Sequence, residues 1–149
     1  QFIFSGRLLE DKYPNFTDAF PAASGTKIVV NTGLLEKTLG RAALFAQGPN
    51  QMISLSIQDK TMQIRSGSEI GRMSEDLSLL KKEGSDLEEI LLNCRYFSDP
   101  LRVMDEEYVE IEFNGPFGPC IFYCHRKQDD LQEIYRYLVL PIKVDKKEN

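Results

Sequence analysis

The sequence predicts an α+β domain built from short strands and two helices. Along the 149 residues, short apolar runs typical of strands are interrupted by two stretches whose apolar residues recur at helical spacing. Turns between these runs are marked by Gly67, Gly84, Gly115 and Gly118. The apolar share of 42% and the charged share of 28% are typical of a globular domain. At this length we expect one large domain, or one domain with a piece of another.

The first 25 residues are predicted to be a strand and a connector. Residues 2–9 have the pattern of a strand, and the segment that follows contains Tyr13-Pro14 and Phe20-Pro21. The residue before a proline is driven to extended conformations, so this segment is not helical. Such a connector is a natural boundary between two domains. Because the chain begins with Gln1 rather than Met, we expect an excised fragment.

The remaining elements follow from the apolar pattern in chain order. The predicted elements are a strand at 27–31, a helix at 34–46, strands at 52–58, 61–65, 71–79 and 87–92, a helix at 94–104, and strands at 108–113, 119–125 and 134–141.

The first helix has an apolar face and an unusual second apolar cluster. At about 100° per residue, the face predicted to lie on the core consists of Leu35, Leu39, Ala42, Ala43 and Ala46. Lys37 and Arg41 lie on the opposite side. Leu44 also points away from the core, with Leu34 and Phe45 on a flank. Scattered exposed apolar residues are common, but a cluster of three also fits a protein partner.

The second helix places Phe97, Leu101 and Met104 at i, i+4 and i+7, so we expect them to be buried. Arg95 and Arg102 lie on another face, and Pro100 is expected to kink the helix or to begin a second short one. Basic residues on the outer faces of both helices indicate either a weakly positive surface or ordinary solvated ion pairs.

The last apolar run, Leu138 to Ile142, allows two interpretations. It is either the last core strand or a strand end near the surface that lines a groove, because Pro141 lacks the N–H that a central strand would use.

Catalytic and metal sites are not indicated. Three cysteines make no disulfide framework and fit a reducing compartment. Cys120, Cys124 and His125 have no fourth ligand at a useful spacing, and no nucleophile lies in a turn near the single histidine. We therefore predict no metal and no cofactor. The net charge of −5 argues against a simple basic DNA-binding module, although a local field can oppose the global sign.

Four stretches in consistent order resemble the last domain of the bacterial sliding clamp family, the β subunit of DNA polymerase III. They are Phe2-Ile-Phe-Ser-Gly-Arg-Leu-Leu-Glu-Asp-Lys-Tyr-Pro-Asn-Phe with Phe20-Pro21, Leu39-Gly-Arg-Ala-Ala-Leu-Phe, Leu92-Asn-Cys-Arg-Tyr, and Leu138-Val-Leu-Pro-Ile-Lys-Val.

The resemblance implies a non-enzymatic replication processivity factor of the cytoplasm. Subunits of this family have three domains, and two subunits join head to tail in a ring around duplex DNA. Residues 1–22 are then the last strand of the preceding domain and the interdomain connector, residues 23–144 the third clamp domain, and residues 145–149 a charged tail. The implied fold has two helices packed on antiparallel β-sheet.

The resemblance also implies three sets of site residues. Lys37, Arg41, Arg95 and Arg102 would face the DNA in the channel. Leu44, Phe45 and the strand near Met73 would form the dimer interface. A groove for short peptides of the polymerase, the clamp loader and repair proteins would be lined by Pro14, Asn93, Tyr96, Phe117, Pro119, Leu138, Val139, Leu140, Pro141 and Ile142. Much of that groove belongs to the preceding domain, so we expect this fragment alone to bind such peptides weakly.

Departures from the family pattern leave the preferred peptide motif open. Asp18 stands where well-known members have a basic residue, Asn50 where some have an aromatic residue, and Phe117-Gly-Pro119 is bulkier than in many members. The competing interpretations are a stand-alone adaptor that keeps the groove but encircles no DNA, and a hydrolase that uses Cys124 with His125.

Overall fold

The computed structural model describes residues 2–7, 10, 12, 15, 20, 25–125 and 133–143. Within them the chain forms nine strands, two α-helices and one 3₁₀ helix. In chain order these are β1 (Thr26–Asn31), α1 (Thr32–Phe45), β2 (Met52–Gln58), β3 (Thr61–Ser68), β4 (Gly71–Ser78), β5 (Lys81–Glu83), β6 (Leu87–Asn93), α2 (Cys94–Ser98), the 3₁₀ helix (Asp99–Val103), β7 (Tyr108–Phe113), β8 (Cys120–His125) and β9 (Glu133–Val139).

The strands form two antiparallel sheets. A five-stranded sheet has the order β5-β1-β7-β8-β9, and a four-stranded sheet has the order β4-β3-β2-β6. All pairs are antiparallel, from β1 with β7 to β8 with β9. The predicted α+β class, with two helices on antiparallel sheet, is therefore confirmed. Three edge strands matter for the site. They are β9 in the five-stranded sheet, and β6 and β4 at the two edges of the four-stranded sheet.

One contiguous core joins both sheets and both helices. Phe97, Phe113 and Phe122 are among its largest fully buried side chains. The ring of Phe97 lies 4.9 Å from that of Phe122, centroid to centroid, in an edge-on arrangement. Burying one such ring stabilises the fold by about 1.5–3 kcal/mol. Phe97 thereby fixes the short helix α2 on the five-stranded sheet.

The start of α1 is set by a capping side chain. Asn31 accepts a hydrogen bond from the backbone N–H of Leu34 at 2.9 Å, which satisfies one of the donors that a helix start leaves unpaired. The helix therefore begins two residues earlier than predicted. Ala43 was predicted to be in the core but is exposed, whereas Thr38 is buried. The buried face of α1 is thus rotated toward β3 and β4, which it packs against.

The second predicted helix is divided in two. The α-helical part ends at Ser98, and residues Asp99–Val103 continue as a 3₁₀ helix with Pro100 in its first turn. A proline has no N–H for the i→i−4 bond, so an α-helix cannot continue regularly through it. Phe97, Leu101 and Met104 are all buried, as predicted.

The strands differ from the prediction at two places. Residues 2–7 form no strand and are exposed. A strand requires a partner, and no described strand lies beside this segment. The strand β5 was not predicted, because Lys81–Glu83 is wholly polar and pairs only as the edge beside β1. The turn that follows uses Gly84 at φ +83°, where a Cβ atom would lie 2.1 Å from the carbonyl oxygen of Gly25.

Among the described residues, no helix has the length and apolar character needed to cross a membrane.

Candidate functional site

The end of β9 crosses from one sheet to the other. Val139 pairs with Cys120 at the edge of the five-stranded sheet. Three residues later, the backbone N–H of Ile142 donates to the carbonyl of Leu91 at 2.8 Å, on the free edge of β6 in the four-stranded sheet. Pro141 lies between these two attachments, at a position where neither sheet requires a hydrogen bond from its nitrogen. Residues 138–142, called the wall below, therefore connect the edges of the two sheets.

The side chains of this wall alternate between core and surface. Val139 is 3% exposed and packs in the core, whereas Leu140 is 68% exposed. Leu138, Pro141 and Ile142 are half-buried. The side chain of Val139, a predicted groove residue, therefore faces the core, and that of the next residue, Leu140, faces the surface. Among these five residues, only Leu140 has an exposed side chain.

Tyr96 lies at the start of α2 and is 57% exposed. Its backbone N–H donates to the side-chain oxygen of Asn93 at 3.1 Å, and the amide nitrogen of Asn93 donates to the carbonyl of Asn50 at 2.7 Å. Asn93 thus uses both ends of its amide, one to cap α2 and one to hold the loop before β2. Its contribution to this surface is to position Tyr96.

An aromatic cluster packs against α2, the helix that carries Tyr96. Phe122 lies under α2, and the ring of Tyr137 lies 6.5 Å from it, centroid to centroid. The pKa of Tyr137 is raised by burial, and further by the nearby Asp99 and Tyr96. Tyr137 is half-buried and packs against the core. Tyr137 was not predicted from the sequence, although its two-residue spacing from the buried Val139 places both on one face of β9.

Phe117 and Pro119 lie on the loop between β7 and β8. The loop is closed by the backbone N–H of Asn114, which donates to the carbonyl of Pro119 at 3.2 Å. Because Cys120 pairs with Val139, Pro119 lies beside Leu140. Phe117 is 78% exposed and borders an open cleft of about 740 Å³. The other residues that line this cleft are Gly25, Thr26, Ser85, Asp86, Leu87, Glu88, Glu89, Asn114, Gly115 and Pro116. Pro14, also predicted in the groove, lies outside the described residues.

A second exposed apolar surface lies at the end of α1. Leu44 is 67% exposed, and Phe45 lies over the first residue of β4, since a Cβ atom at Gly71 would be 3.0 Å from the Phe45 ring. Ile70, in the turn between β3 and β4, is also exposed. Met73 is half-buried and packs on the core, so β4 offers its unpaired backbone edge here rather than the Met73 side chain.

Arg41 is held by a carboxylate on the neighbouring strand. Its guanidinium donates to both oxygens of Glu75 on β4, each at 2.5 Å, and to the hydroxyl of Thr38 at 3.0 Å. The pKa of the Glu75 carboxyl is lowered, mainly by these hydrogen bonds from Arg41. The charge of Arg41 is therefore largely matched within the domain, by a pairing that was not predicted from the sequence.

The other predicted basic residues lie on the exposed faces of the helices. α1 and α2 are in contact, and the thiol of Cys94 donates to the carbonyl of Leu39 at 3.5 Å. Lys37 and Arg95 are exposed, and no ion pair joins either of them to another residue of the described part. Arg102 is paired loosely with Asp99 at 3.6 Å.

Cys124 and Glu106 form a polar pair beneath the five-stranded sheet. The thiol of Cys124 donates to a carboxylate oxygen of Glu106 at 2.9 Å. Burial raises the pKa of Cys124 to about 12, and Glu106 contributes to this rise. A thiol with so high a pKa is a poor nucleophile at neutral pH. In the described part of the chain, no group of three or more His, Cys, Asp or Glu side chains could hold a metal ion.

The fold is that of a DNA-clamp domain. The family model for the C-terminal domain of the DNA polymerase III beta subunit matches residues 17–142, so the chain belongs to this family.

Individual relatives agree. The chain is 36% identical over 142 residues to a beta sliding clamp from Staphylococcus epidermidis, a match that covers 94% of this chain and 36% of that protein. The structure of a DNA polymerase sliding clamp from Bacillus subtilis superimposes with a TM-score of 0.79 at 31% identity. That of a DNA polymerase III beta chain from Streptococcus pneumoniae has a TM-score of 0.82 at 27% identity. Each superposition covers 93% of this chain and 36% of the other. The chain thus spans about a third of the length of these relatives.

Proposed function

We propose that this chain is the third domain of a bacterial sliding clamp that tethers DNA polymerase III to its template. The observation that carries the proposal is the family match across residues 17–142, which includes both exposed apolar surfaces. The protein would act in the cytoplasm as a processivity factor, without a catalytic site of its own. Its partners would be duplex DNA, the polymerase, the clamp loader and other proteins that carry a clamp-binding peptide.

The ring would be closed by the surface at the end of α1. Leu44, Phe45 and the free edge of β4 lie side by side and would meet the first domain of a second subunit. An unpaired strand edge can extend a sheet across such a contact. A second contact is proposed for the N-terminal segment. The side chains of Phe2, Ile3 and Phe4 are 92%, 88% and 95% exposed, which supports a partner for this segment outside the chain. This segment would be the last strand of the preceding domain, which supplies its pairing partner.

DNA would pass along the exposed faces of the helices. Lys37 and Arg95 offer charge that no described carboxylate neutralises, and Arg102 is paired only loosely. A clamp that slides requires attraction to phosphate without contacts to bases, and a few mobile basic side chains supply it. A mildly basic channel within a subunit surface that is acidic overall is compatible with the net charge of −5.

The peptide groove would lie around Tyr96 and Leu140. Leu140 lies beside Pro119, and Tyr96 is carried by α2, which packs on the aromatic cluster of Phe97, Phe122 and Tyr137. Extended peptides with aliphatic and aromatic anchors would bind there, and backbone polar groups would fix their direction.

Sedimentation of the full-length protein tests the proposal. The wild type is expected to be a dimer, and the double variant Leu44→Ala with Phe45→Ala a folded monomer. Leu34→Ala is the matched control, because Leu34 is also an exposed leucine of α1 but lies at its other end. A double variant that stays dimeric would contradict the assigned interface. A wild type that is monomeric and is not retained on circular DNA would instead support a stand-alone adaptor.

A further inference from the structure

We propose that Arg41 is a positioning residue of the subunit interface rather than a DNA contact, and that it acts by holding the edge strand β4 against α1. This inference rests on the proposed function, because it concerns the surface by which two subunits would join.

The first observation is the geometry of Arg41, Thr38 and Glu75. Arg41 makes two parallel hydrogen bonds to the Glu75 carboxylate, each at 2.5 Å. The hydroxyl of buried Thr38 donates to the same carboxylate at 3.1 Å and accepts from Arg41 at 3.0 Å. Every pair among the three side chains is thus joined. A planar guanidinium fixes both distance and orientation in such a bidentate pair, which a single-point cation cannot do.

The second observation is where the pair lies. Glu75 is in the middle of β4, and β4 is paired on one side only, with β3. Besides its pairing with β3, the strand β4 is therefore held by its contact with α1. Glu75 points toward the helix, because it lies on the same face of β4 as the half-buried Met73 and the buried Leu77.

The third observation is what the pair holds together. Arg41 lies three and four residues before Leu44 and Phe45, and hence one helical turn from both. Phe45 rests on Gly71 at the start of β4, with exposed Ile70 beside it. The Arg41–Glu75 pair thus fixes the position of the free edge of β4 relative to the apolar end of α1. A partner subunit would need both at once, so a shift of the strand would weaken the contact.

The same geometry argues against a role on DNA. Glu75 and Thr38 take the Nε and Nη2 donors of Arg41, so only Nη1 is left for a phosphate, and the Glu75 carboxylate beside it would repel that anion. Lys37, one turn earlier on α1, has no such partner among the described residues and is the better candidate for that role.

The experiment measures two quantities on the full-length protein. The first is the dissociation constant of the dimer by sedimentation, and the second is the salt dependence of its retention on circular DNA. We expect Arg41→Gln and Glu75→Gln each to raise the dissociation constant about tenfold. The exchange of the two charges, Arg41→Glu with Glu75→Arg, is expected to restore much of the loss. Arg41→Gln is expected to leave the salt slope unchanged, whereas Lys37→Gln lowers it with the dimer constant unchanged.

The outcomes separate this inference from the proposed function. A wild-type protein that forms no dimer would overturn the proposed function itself. A wild-type dimer whose constant changes less than twofold in Arg41→Gln would overturn only the positioning role. The same follows if Arg41→Gln lowers the salt slope as much as Lys37→Gln. If the thermal midpoint falls while the dimer constant of the folded protein does not change, the pair serves only the stability of the domain. That result would also overturn the inference.

Discussion

The backbone N–H of Ile142 lies 2.8 Å from the carbonyl oxygen of Leu91, and this bond joins the chain that leaves one sheet to the edge of the other. Leu140 is therefore held between two fixed points, the buried Val139 before it and the attached Ile142 after it. An exposed leucine in this position is presented on a rigid backbone. A rigid apolar anchor loses little conformational entropy on binding, which favours a docking surface.

Replacement of the exposed anchors should weaken peptide binding. Tyr96→Ala and Leu140→Ala in the full-length protein are each expected to reduce the affinity of a labelled clamp-binding peptide at least about tenfold, since burial of one such side chain contributes about 1.5–3 kcal/mol. Fluorescence anisotropy measures the change. Tyr108→Ala is the control, because Tyr108 is an exposed tyrosine at the start of β7. Unchanged affinity in both variants would move the groove elsewhere.

Asn93 is expected to serve the same surface indirectly. Asn93→Ala removes the cap of α2 and should lower the free energy of unfolding by about 1 kcal/mol, as the loss of helix caps usually does. It should also weaken peptide binding, because Tyr96 lies in the first turn of that helix. Asn93→Asp keeps an acceptor for the Tyr96 N–H but cannot donate to the carbonyl of Asn50. Thermal unfolding and anisotropy measured on both variants separate the two hydrogen bonds.

Asn31→Ala is the matched control for that prediction. Asn31 caps α1 in the same manner, through the N–H of Leu34, but that helix start carries no predicted groove residue. We expect a similar loss of stability and no loss of peptide affinity. Equal losses of affinity in the two alanine variants would show that Asn93 acts only through general stability.

The stability of the domain should depend on the ionisation of Glu75. Hydrogen bonds from Arg41 lower the pKa of the Glu75 carboxyl below its ordinary value of 4.5. The stabilisation is therefore fully present above pH 4.5 and is lost as the pH falls through the lowered value in the folded state. Urea unfolding should show Glu75→Gln less stable than the wild type at pH 7, with the difference shrinking below pH 4.5. Asp76 lies on the other face of β4 and accepts a hydrogen bond from Gln63 of β3, so Asp76→Asn tests whether any carboxylate of β4 has the same effect.

The elements of this fold could be predicted from local pattern, but their partners could not. The periodicity of residues 34–46 defined a helix, and Pro100 indicated the break after α2. By contrast, Arg41 and Glu75 are 34 residues apart, and no spacing rule joins them. The polar β5 was missed, and residues 2–7 form no strand within this chain, for a related reason, since pairing decides whether such a stretch is a strand.

The candidate site shows the same division. The apolar run with Pro141 indicated a surface wall, and the helical periodicity of α1 was enough to place Leu44 off the core. The run was treated as a unit, whereas the alternation of β9 buries the side chain of Val139 and leaves that of Leu140 exposed. Tyr137 and Leu91 were not singled out, because the ring contact of Tyr137 with Phe122 and the hydrogen bond from Ile142 to Leu91 depend on the tertiary fold.

The three thiols should react slowly in the folded protein. Burial raises the pKa of Cys94 to about 11, and burial with Glu106 raises that of Cys124 to about 12. Burial also raises the pKa of Cys120. At pH 8 roughly one Cys94 side chain in a thousand would then be a thiolate, and the thiolate is the form that reacts. Alkylation followed by mass spectrometry should therefore be at least about a hundredfold slower than in the urea-unfolded chain. Glu106→Gln removes the negative acceptor beside Cys124 and should speed the labelling of that cysteine, with Cys120 unchanged as the internal control. If Cys124 reacts at the same rate with and without Glu106, access rather than the pKa limits it.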